Sequence, residues 1–361
     1  MRPIIDAHLD LAWNAMYFNR DLLRPISEIR AAETGMTDEL ARGRNTVCFP
    51  ELRRADVPVC IATLMARSGP DKLNTVPAKR VDLDYTEQRM AYAHAQGQLA
   101  YYRLLEREGH LRIIKTRGEL TAHWAAWQKN SAATPLGIIL SAEGADPILR
   151  PEQVEAWWKD GLRAVGPVHY GRSQYAAGTS TEGPLTAAGV ALLKEFHRVG
   201  MVLDVTHFSD QSFAQAMEIY HGPTIASHHN CRALVSGQRQ LTDEQIRILI
   251  QRDAVIGTAF DAWMLYPGWK RGETDPKLVK IADAANHIDH ICQLAGTTKH
   301  CAIGSDLDGG FGTEQTPGDL NTIHDLHKLE EILATRGYKA TDIDGIFFGN
   351  WLNFFTKGLP Q

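Results

Sequence analysis

Long apolar runs are missing from this chain of 361 residues. None approaches the ~18 residues that span a bilayer as a helix, which excludes a helical membrane protein. Clustered positive charge is missing too. The formal net charge is -5, with no basic stripe to follow nucleic acid and no polybasic tail to hold an anionic membrane. Neither nucleic acid nor a membrane is therefore expected as a partner. Cysteine is scarce: five residues, Cys48, Cys60, Cys231, Cys292 and Cys301, an odd number without a CxxC pair. That argues against a disulfide framework and for buried, reduced thiols in the cytoplasm. No glycine-rich GxGxxG turn supports a dinucleotide-binding open sheet. The first strand-like run begins within a few residues of Met1, so no signal peptide is expected and a cytoplasmic location is. With no low-complexity linker or short repeat, residues 1–361 read as a single domain.

What the chain does have is a rhythm. Hydrophobic residues make up 44% and charged residues 22%, enough to build a large core. Short β-branched or apolar runs at 3–9, 57–65, 136–142, 162–168, 201–206, 223–227, 254–260 and 300–305 alternate with helix-patterned segments. One of these, "LTDEQIRILIQRD", opens with Thr242 and Gln245 at capping-box spacing. Eight strands alternating with helices predict parallel pairing and a closed (β/α)8 TIM-type barrel, with a doubly wound sheet as the alternative. Residues 11–56 are too long for a simple connection and are expected to fold as helices over the barrel mouth. Residues 85–110 read as a long helix, and 111–116 as an additional short strand.

Chemistry enters where the strands end. In "PIIDAHLDLAW" the alternation of a strand would put Asp6, His8 and Asp10 on one face, a costly arrangement unless a cation compensates. His8 and Asp10 close the first strand, Glu143 the third, and His169, His207, His228 and Asp306 follow four later ones. A barrel brings all such positions to one rim, the face on which active sites are built. Imidazoles with carboxylates and no thiolate suit Zn2+ and admit Mn2+, Co2+ or Fe2+. Five candidate ligands exceed the usual three of one catalytic ion, so two ions sharing a carboxylate fit better.

These residues carry a resemblance. From "DAHLDL" through "GSDLDGG" to "GNWLNFF", the chain resembles the membrane (renal) dipeptidase family, peptidase family M19 of the amidohydrolase superfamily. The HxD pair replaces the HxH of many amidohydrolases, and Glu143 stands where a carboxylated lysine is common. The resemblance implies two zinc ions, one held by His8 and Asp10, the other by His207 and His228, with Glu143 bridging them. It implies that His169 polarises the scissile carbonyl and that Asp306 handles the proton and holds the substrate's amino group. Arg239 would pair with the substrate's terminal carboxylate, with Gln240 after it where relatives often carry Asn. The reaction implied is hydrolysis of free dipeptides, including those with a C-terminal D-residue, by attack of a metal-bridging hydroxide, in a homodimer. Mammalian members are secreted, lipid-anchored and disulfide-bonded; this chain reads as a cytoplasmic relative.

Lesser candidates have simpler readings. His229 is expected to pack structurally, and Asp6 to orient a ligand from deeper in the barrel. Tyr170, Arg172 and Tyr175 are candidates for lining the pocket, Asp308 reads as a turn residue and, being near Asp306, as a second candidate for its role, and Arg232 is a rival to Arg239 as anion partner. The tryptophans of "WAAW" and "EAWWKD" read as packing between helices and barrel. Two other functions use the same residues: an amidohydrolase acting on N-acyl amino acids or lactams, and a metal-binding protein without catalytic activity.

Overall fold

Ile5 and Ala7 meet one or two apolar residues from each neighbouring strand in a common interior, and this layer defines the architecture. The computed structural model describes residues 1–69 and 83–361. Its strands are β1 (Ile5–Leu9), β2 (Val59–Met65), β3 (Arg67–Ser68), β4 (Asp84–Tyr85), β5 (Leu111–Ile113), β6 (Leu136–Glu143), β7 (Leu162–Gly166), β8 (Val202–Asp204), β9 (Thr224–Ala226), β10 (Val255–Thr258) and β11 (Cys301–Ile303). Eight of them pair in parallel in the order β1-β2-β6-β7-β8-β9-β10-β11 and curl into a nearly closed TIM-type barrel. All eight coincide with the strands expected from the sequence to within two residues at either end. β5, the expected additional strand, pairs with the first half of β6, and β3 and β4 form a small separate ladder. The helix expected at 85–110 spans Gln88–Arg107, and Thr242 and Gln245 cap the helix Asp243–Gln251 as a reciprocal pair. Among the described residues, no helix is long and apolar enough to cross a membrane.

Period-2 alternation sorts the strand residues. Val59, Ile61, Ile139, Ala164, Val202, Ile225, Val255 and Ala302 point inward with Ile5 and Ala7. They close on Trp351, Phe354 and Phe355 of the C-terminal helix Asn350–Gly358, which plugs the N-terminal end of the barrel. Cys60, Ala62, Leu64, Ile138, Leu140, Leu203 and Ile256 point outward, in one cluster with Leu99, Tyr102, Phe196 and Ile246 of the surrounding helices. Each leucine, isoleucine or phenylalanine among them contributes roughly 1.5–3 kcal/mol on burial.

Strict alternation fails in β1. Asp6 lies opposite Cys60 and Leu9 opposite Ala62, so β1 advances three residues where β2 advances two. The extra residue is a bulge, and it re-aims the side chains beyond it. Asp6 shares the orientation of outward-facing Cys60, while past the bulge His8 and Asp10 turn into the barrel mouth. The common face read from the alternation is thus corrected: Asp6 leaves it. Its carboxylate serves the seam instead. Among the described residues no ladder joins β11 to β1; Ser305 N–H donates to Asp6 Oδ1 at 2.8 Å and His8 N–H to the same oxygen at 3.2 Å.

The segment after β1 folds as three short helices, Leu11–Tyr17, Ile26–Ala32 and Phe49–Arg54. Two buried carboxylates fix it. Glu33 accepts from Arg20 Nε at 2.8 Å, Arg42 Nη1 at 2.9 Å and Gly43 N–H at 2.7 Å. Asp308, beyond β11, accepts from Thr46 N–H and Oγ–H, each at 2.7 Å, and from Val47 N–H at 3.0 Å.

Candidate active site

The C-terminal ends of the staves converge on Glu143, the last residue of β6. Its Oε1 lies 3.0 Å from His207 Nε2, 3.3 Å from His228 Nε2, 3.5 Å from His8 Nε2 and 3.7 Å from His169 Nε2. His8 Nε2 is 3.7 Å from Asp10 Oδ1 and 3.9 Å from Asp306 Oδ1. Residues from β1 and β6 and from the connections after β1, β7, β8, β9 and β11 thereby meet within a few ångströms. His207 and Asp306 reach their places through left-handed backbone, φ 71° and 59°, which costs a non-glycine residue on the order of 1 kcal/mol.

Which atoms face the centre is fixed from behind. His207 Nδ1 is 2.9 Å from Thr179 Oγ1, and His228 Nδ1 is 2.9 Å from Ser227 Oγ. Ser227 and Thr206 are themselves held by Asp204, which accepts both backbone N–H groups at 3.0 Å and the Thr206 hydroxyl at 2.7 Å. With Nδ1 occupied, each ring offers Nε2 to Glu143, the arrangement typical of metal-ligating histidines. Thr63 donates its hydroxyl to Asp10 Oδ1. The carbonyl of Ser227 nests against Gly257 and Gly304, where a Cβ would stand 1.9 and 1.8 Å from it, so only glycine lets β9, β10 and β11 come together behind His228.

The donor set fits divalent cations. Three groups, His8–Asp10–Glu143, Glu143–His207–His228 and His8–His228–Asp306, each bring their ligand atoms within 4.8 Å of one another. His8 Nε2, Asp10 Oδ2 and Glu143 Oε2 are buried without a hydrogen-bond partner, a state that costs several kcal/mol unless a ligand completes it. The electrostatics agree. Burial opposes charge on every member, yet the Glu143, Asp10 and Asp306 carboxylates hold His8 up at about 10. Burial and then Glu143 push Asp10 up to about 7, and burial raises Asp306 well above the usual carboxylate range. Buried acids and imidazoles compensating one another in this way are what cations would relieve.

Beside the cluster opens a cavity of about 220 Å³ lined by Asp10, Trp13, Glu143, His169, Tyr170, His207, His228, Arg239, Asp261, Trp263, Arg271, Asp306 and Gln315. It is smaller than the roughly 300–1,000 Å³ of clefts for drug-sized ligands and suits a small molecule. Arg239 is buried against it; Nη2 donates to the His228 carbonyl at 2.9 Å, and Nη1 has no partner. His169 is gripped by Arg67, whose Nη1 lies 2.8 Å from Nδ1. A guanidinium only donates, so Nδ1 accepts and the ring proton sits on Nε2, facing the cavity. Asp84 takes both remaining edges of Arg67 at 2.8 Å.

All eight residues singled out in the sequence, His8, Asp10, Glu143, His169, His207, His228, Arg239 and Asp306, lie in this cluster or on its cavity. The lesser candidates part ways. Tyr170 lines the cavity, whereas Tyr175 donates its hydroxyl to the Ile148 carbonyl and Arg172 bonds Glu182 O. Arg232 is bound to Asp210 at 2.8 Å, Asp308 to the segment after β1, and His229 is buried outside the ligand groups. Trp124 stacks on Phe348, and Trp158 lies under Arg163. The sequence reading missed Arg67 with Asp84, and the wall built by Asp261, Trp263, Arg271 and Gln315. Only the uncommon density of tryptophan and glycine in "DAWMLYPGWKRG" marks that last segment.

Comparison with known proteins gives the family and the fold. The family model "Membrane dipeptidase (Peptidase family M19)" matches residues 1–357. Dipeptidase aclJ of Aspergillus oryzae is 28% identical over 196 residues, 53% of this chain and 44% of that protein. An uncharacterized protein in the pqqA 5' region of Klebsiella pneumoniae is 28% identical over 207 residues, 55% of this chain and 73% of that protein. The chain thus spans about half the length of several curated dipeptidases it matches. Among solved structures, the metallopeptidase dipeptidase AC of family M19 superposes with a TM-score of 0.78 at 20% identity, covering 100% of this chain and 99% of that one. A metallo peptidase from Rhodobacter sphaeroides, liganded with a phosphinate mimic of the dipeptide L-Ala-D-Ala, gives 0.77 at 19% identity, with 99% of each chain covered. This chain belongs to the membrane dipeptidase family, peptidase family M19.

Proposed function

We propose that the chain hydrolyses free dipeptides, including those with a C-terminal D-residue, at a centre of two zinc ions. His8 and Asp10 would hold one, His207 and His228 the other, and Glu143 both. The observation that carries this reading is Glu143 Oε1 facing three imidazole Nε2 atoms at 3.0–3.5 Å while Glu143 Oε2, Asp10 Oδ2 and His8 Nε2 lie buried without a hydrogen bond. When bound, such cations acidify water and polarise a carbonyl.

The chain's own residues supply the rest. Arg239 Nη1, buried and unpaired, offers a charge-assisted bond to the substrate's terminal carboxylate. His169 Nε2–H donates to the carbonyl oxygen as it gains negative charge. Asp306, ionised when the substrate arrives, takes the proton of the attacking water; burial, which raises its pKa, lets it hold that proton and deliver it to the leaving nitrogen as the C–N bond breaks. In its ionised state Asp306 also pairs with the substrate's ammonium group. Holding both charged ends across a cavity of about 220 Å³ selects dipeptides over longer peptides. The phosphinate mimic held by the Rhodobacter sphaeroides relative supports the D-residue. A homodimer, as the resemblance implies, in the cytoplasm, as the few unpaired cysteines suggest, completes the reading.

The test is a panel of L-Xaa-L-Xaa and L-Xaa-D-Xaa dipeptides, tripeptides, N-acyl amino acids and lactams, with metal quantified in the same sample. Dipeptide turnover at two zinc per chain, with tripeptides at least about tenfold slower, is expected, a tenfold ratio being about 1.4 kcal/mol of lost clamp. Faster turnover of N-acyl amino acids or lactams would overturn it in favour of another amidohydrolase. Metal-loaded protein without any turnover would leave only a metal-binding role.

A further inference from the structure

On the outside of the barrel, away from the cavity, two thiols stand in contact. Cys292, on the helix Ile281–Ala295, and Cys301, the first residue of β11, bring their sulfurs to 3.2 Å across the helix–strand interface. Their exposures differ. Cys301 is fully buried, whereas Cys292 is half-buried and borders a surface groove of about 460 Å³ walled by Gln293, Thr298, Arg336, Tyr338 and Asp342. Of the other three cysteines, Cys48 and Cys60 are buried elsewhere, while Cys231 lies near enough to the pair to interact with it electrostatically but directs its sulfur to the His287 carbonyl at 3.6 Å.

We propose that Cys292 and Cys301 form a dithiol modification site, which a low-molecular-weight disulfide entering the groove oxidises to an intrachain disulfide. The steps balance. Cys292 gives up its proton and attacks one sulfur of the small disulfide, forming a mixed disulfide and releasing one small thiolate, which takes that proton. Cys301 then gives up its proton and attacks the Cys292 sulfur, forming the Cys292–Cys301 bond and releasing the second small thiol. Two protein thiols are oxidised, and one small disulfide is reduced to two thiols.

Each cysteine suits its step. Only Cys292 can be reached from outside, so it attacks first and Cys301 resolves. Charge runs in the same order: the hydrogen bond from Cys301 holds the Cys292 thiol below its ordinary value, and that bond together with burial pushes Cys301 well up. From 3.2 Å, bond formation needs a shift of about 1 Å.

The experiment incubates the metal-loaded full chain with oxidised glutathione, alkylates it, denatures it and maps the peptides without reduction. The expected result is two fewer titratable thiols than the five in the sequence and a linked Cys292–Cys301 peptide, with no glutathione retained. C301A should stop at glutathione on Cys292, and C292S should take up none. Glutathione that stays on Cys292 of the unsubstituted chain, a different linked pair, or reaction only at the rate of denatured protein would each overturn the proposal. If C301A does not fold, the peptide map of the unsubstituted chain decides alone.

Discussion

At the scale of single residues, proton placement depends on Arg67. Its 2.8 Å contact with His169 Nδ1 leaves the ring proton on Nε2, and Asp84 keeps the guanidinium in place. Arg67→Met frees the ring to take the other tautomer. Steady-state kinetics should show kcat reduced about 10²–10³-fold, the cost of one lost oxyanion donor, with KM nearly unchanged. Arg239→Met removes a binding contact instead. A charge-assisted bond of about 1.5–3 kcal/mol corresponds to a loss of roughly 10- to 150-fold in kcat/KM, in which a raised KM contributes. An unchanged kcat/KM would remove Arg239 from the carboxylate clamp. The two arginines also mark how far the sequence could be read. His8, Glu143, His207 and Asp306 were legible because a barrel sends every strand end to one rim. Arg67 was not, because its role depends on the two-residue ladder β3–β4 and on a partner 102 positions away. Nor was the proton on His169, which only the donor beside it decides.

Among the elements, the segment after β1 depends on two carboxylates. Burial works against charge on Glu33, but the Arg20 and Arg42 guanidiniums outweigh it and hold its pKa below the ordinary value. A lowered pKa contributes stability above the unfolded value of about 4.3, which is lost as pH falls through the folded value. Thermal melts should therefore show the midpoint of the unsubstituted chain dropping below about pH 4.3. Glu33→Gln should lie lower at neutral pH, by about 3 kcal/mol for a broken buried pair, and flatten that acid limb. An acid limb unchanged by the substitution would assign it to other groups. At this scale the sequence was legible in period and misleading in phase. The β-branched runs placed all eight staves, but a one-residue bulge cannot be read from the pattern "IDAHL", in which inward and outward positions both carry small or apolar side chains. Asp6 therefore looked like a partner of the ligands and proved to be a seam residue. Gly304 belongs here as well. A Cβ there would displace the Ser227 carbonyl, so Gly304→Ala should move His228 and show as weaker zinc retention in competition with a chelator.

For the molecule as a whole, stability and the cation site are one problem. Burying Asp10 and Glu143 with three histidines, and Asp306 partly so, opposes folding until cations are bound. Chelation should lower the melting temperature as well as abolish turnover, and restoring zinc should recover both. A melt indifferent to chelation would show that the cluster compensates itself.

The apolar plug beneath the staves carries a last consequence. Trp351 and Phe355, buried under the inward layer and anchored by the bond from Trp351 Nε1 to the Ile303 carbonyl, close the N-terminal end of the barrel, so that among the described residues it has no back door. Reactant and both product amino acids must then share one doorway. Traffic is consequently two-way through a single port, and a spent molecule blocks the next arrival, so free amino acids released by the reaction should act as competitive inhibitors.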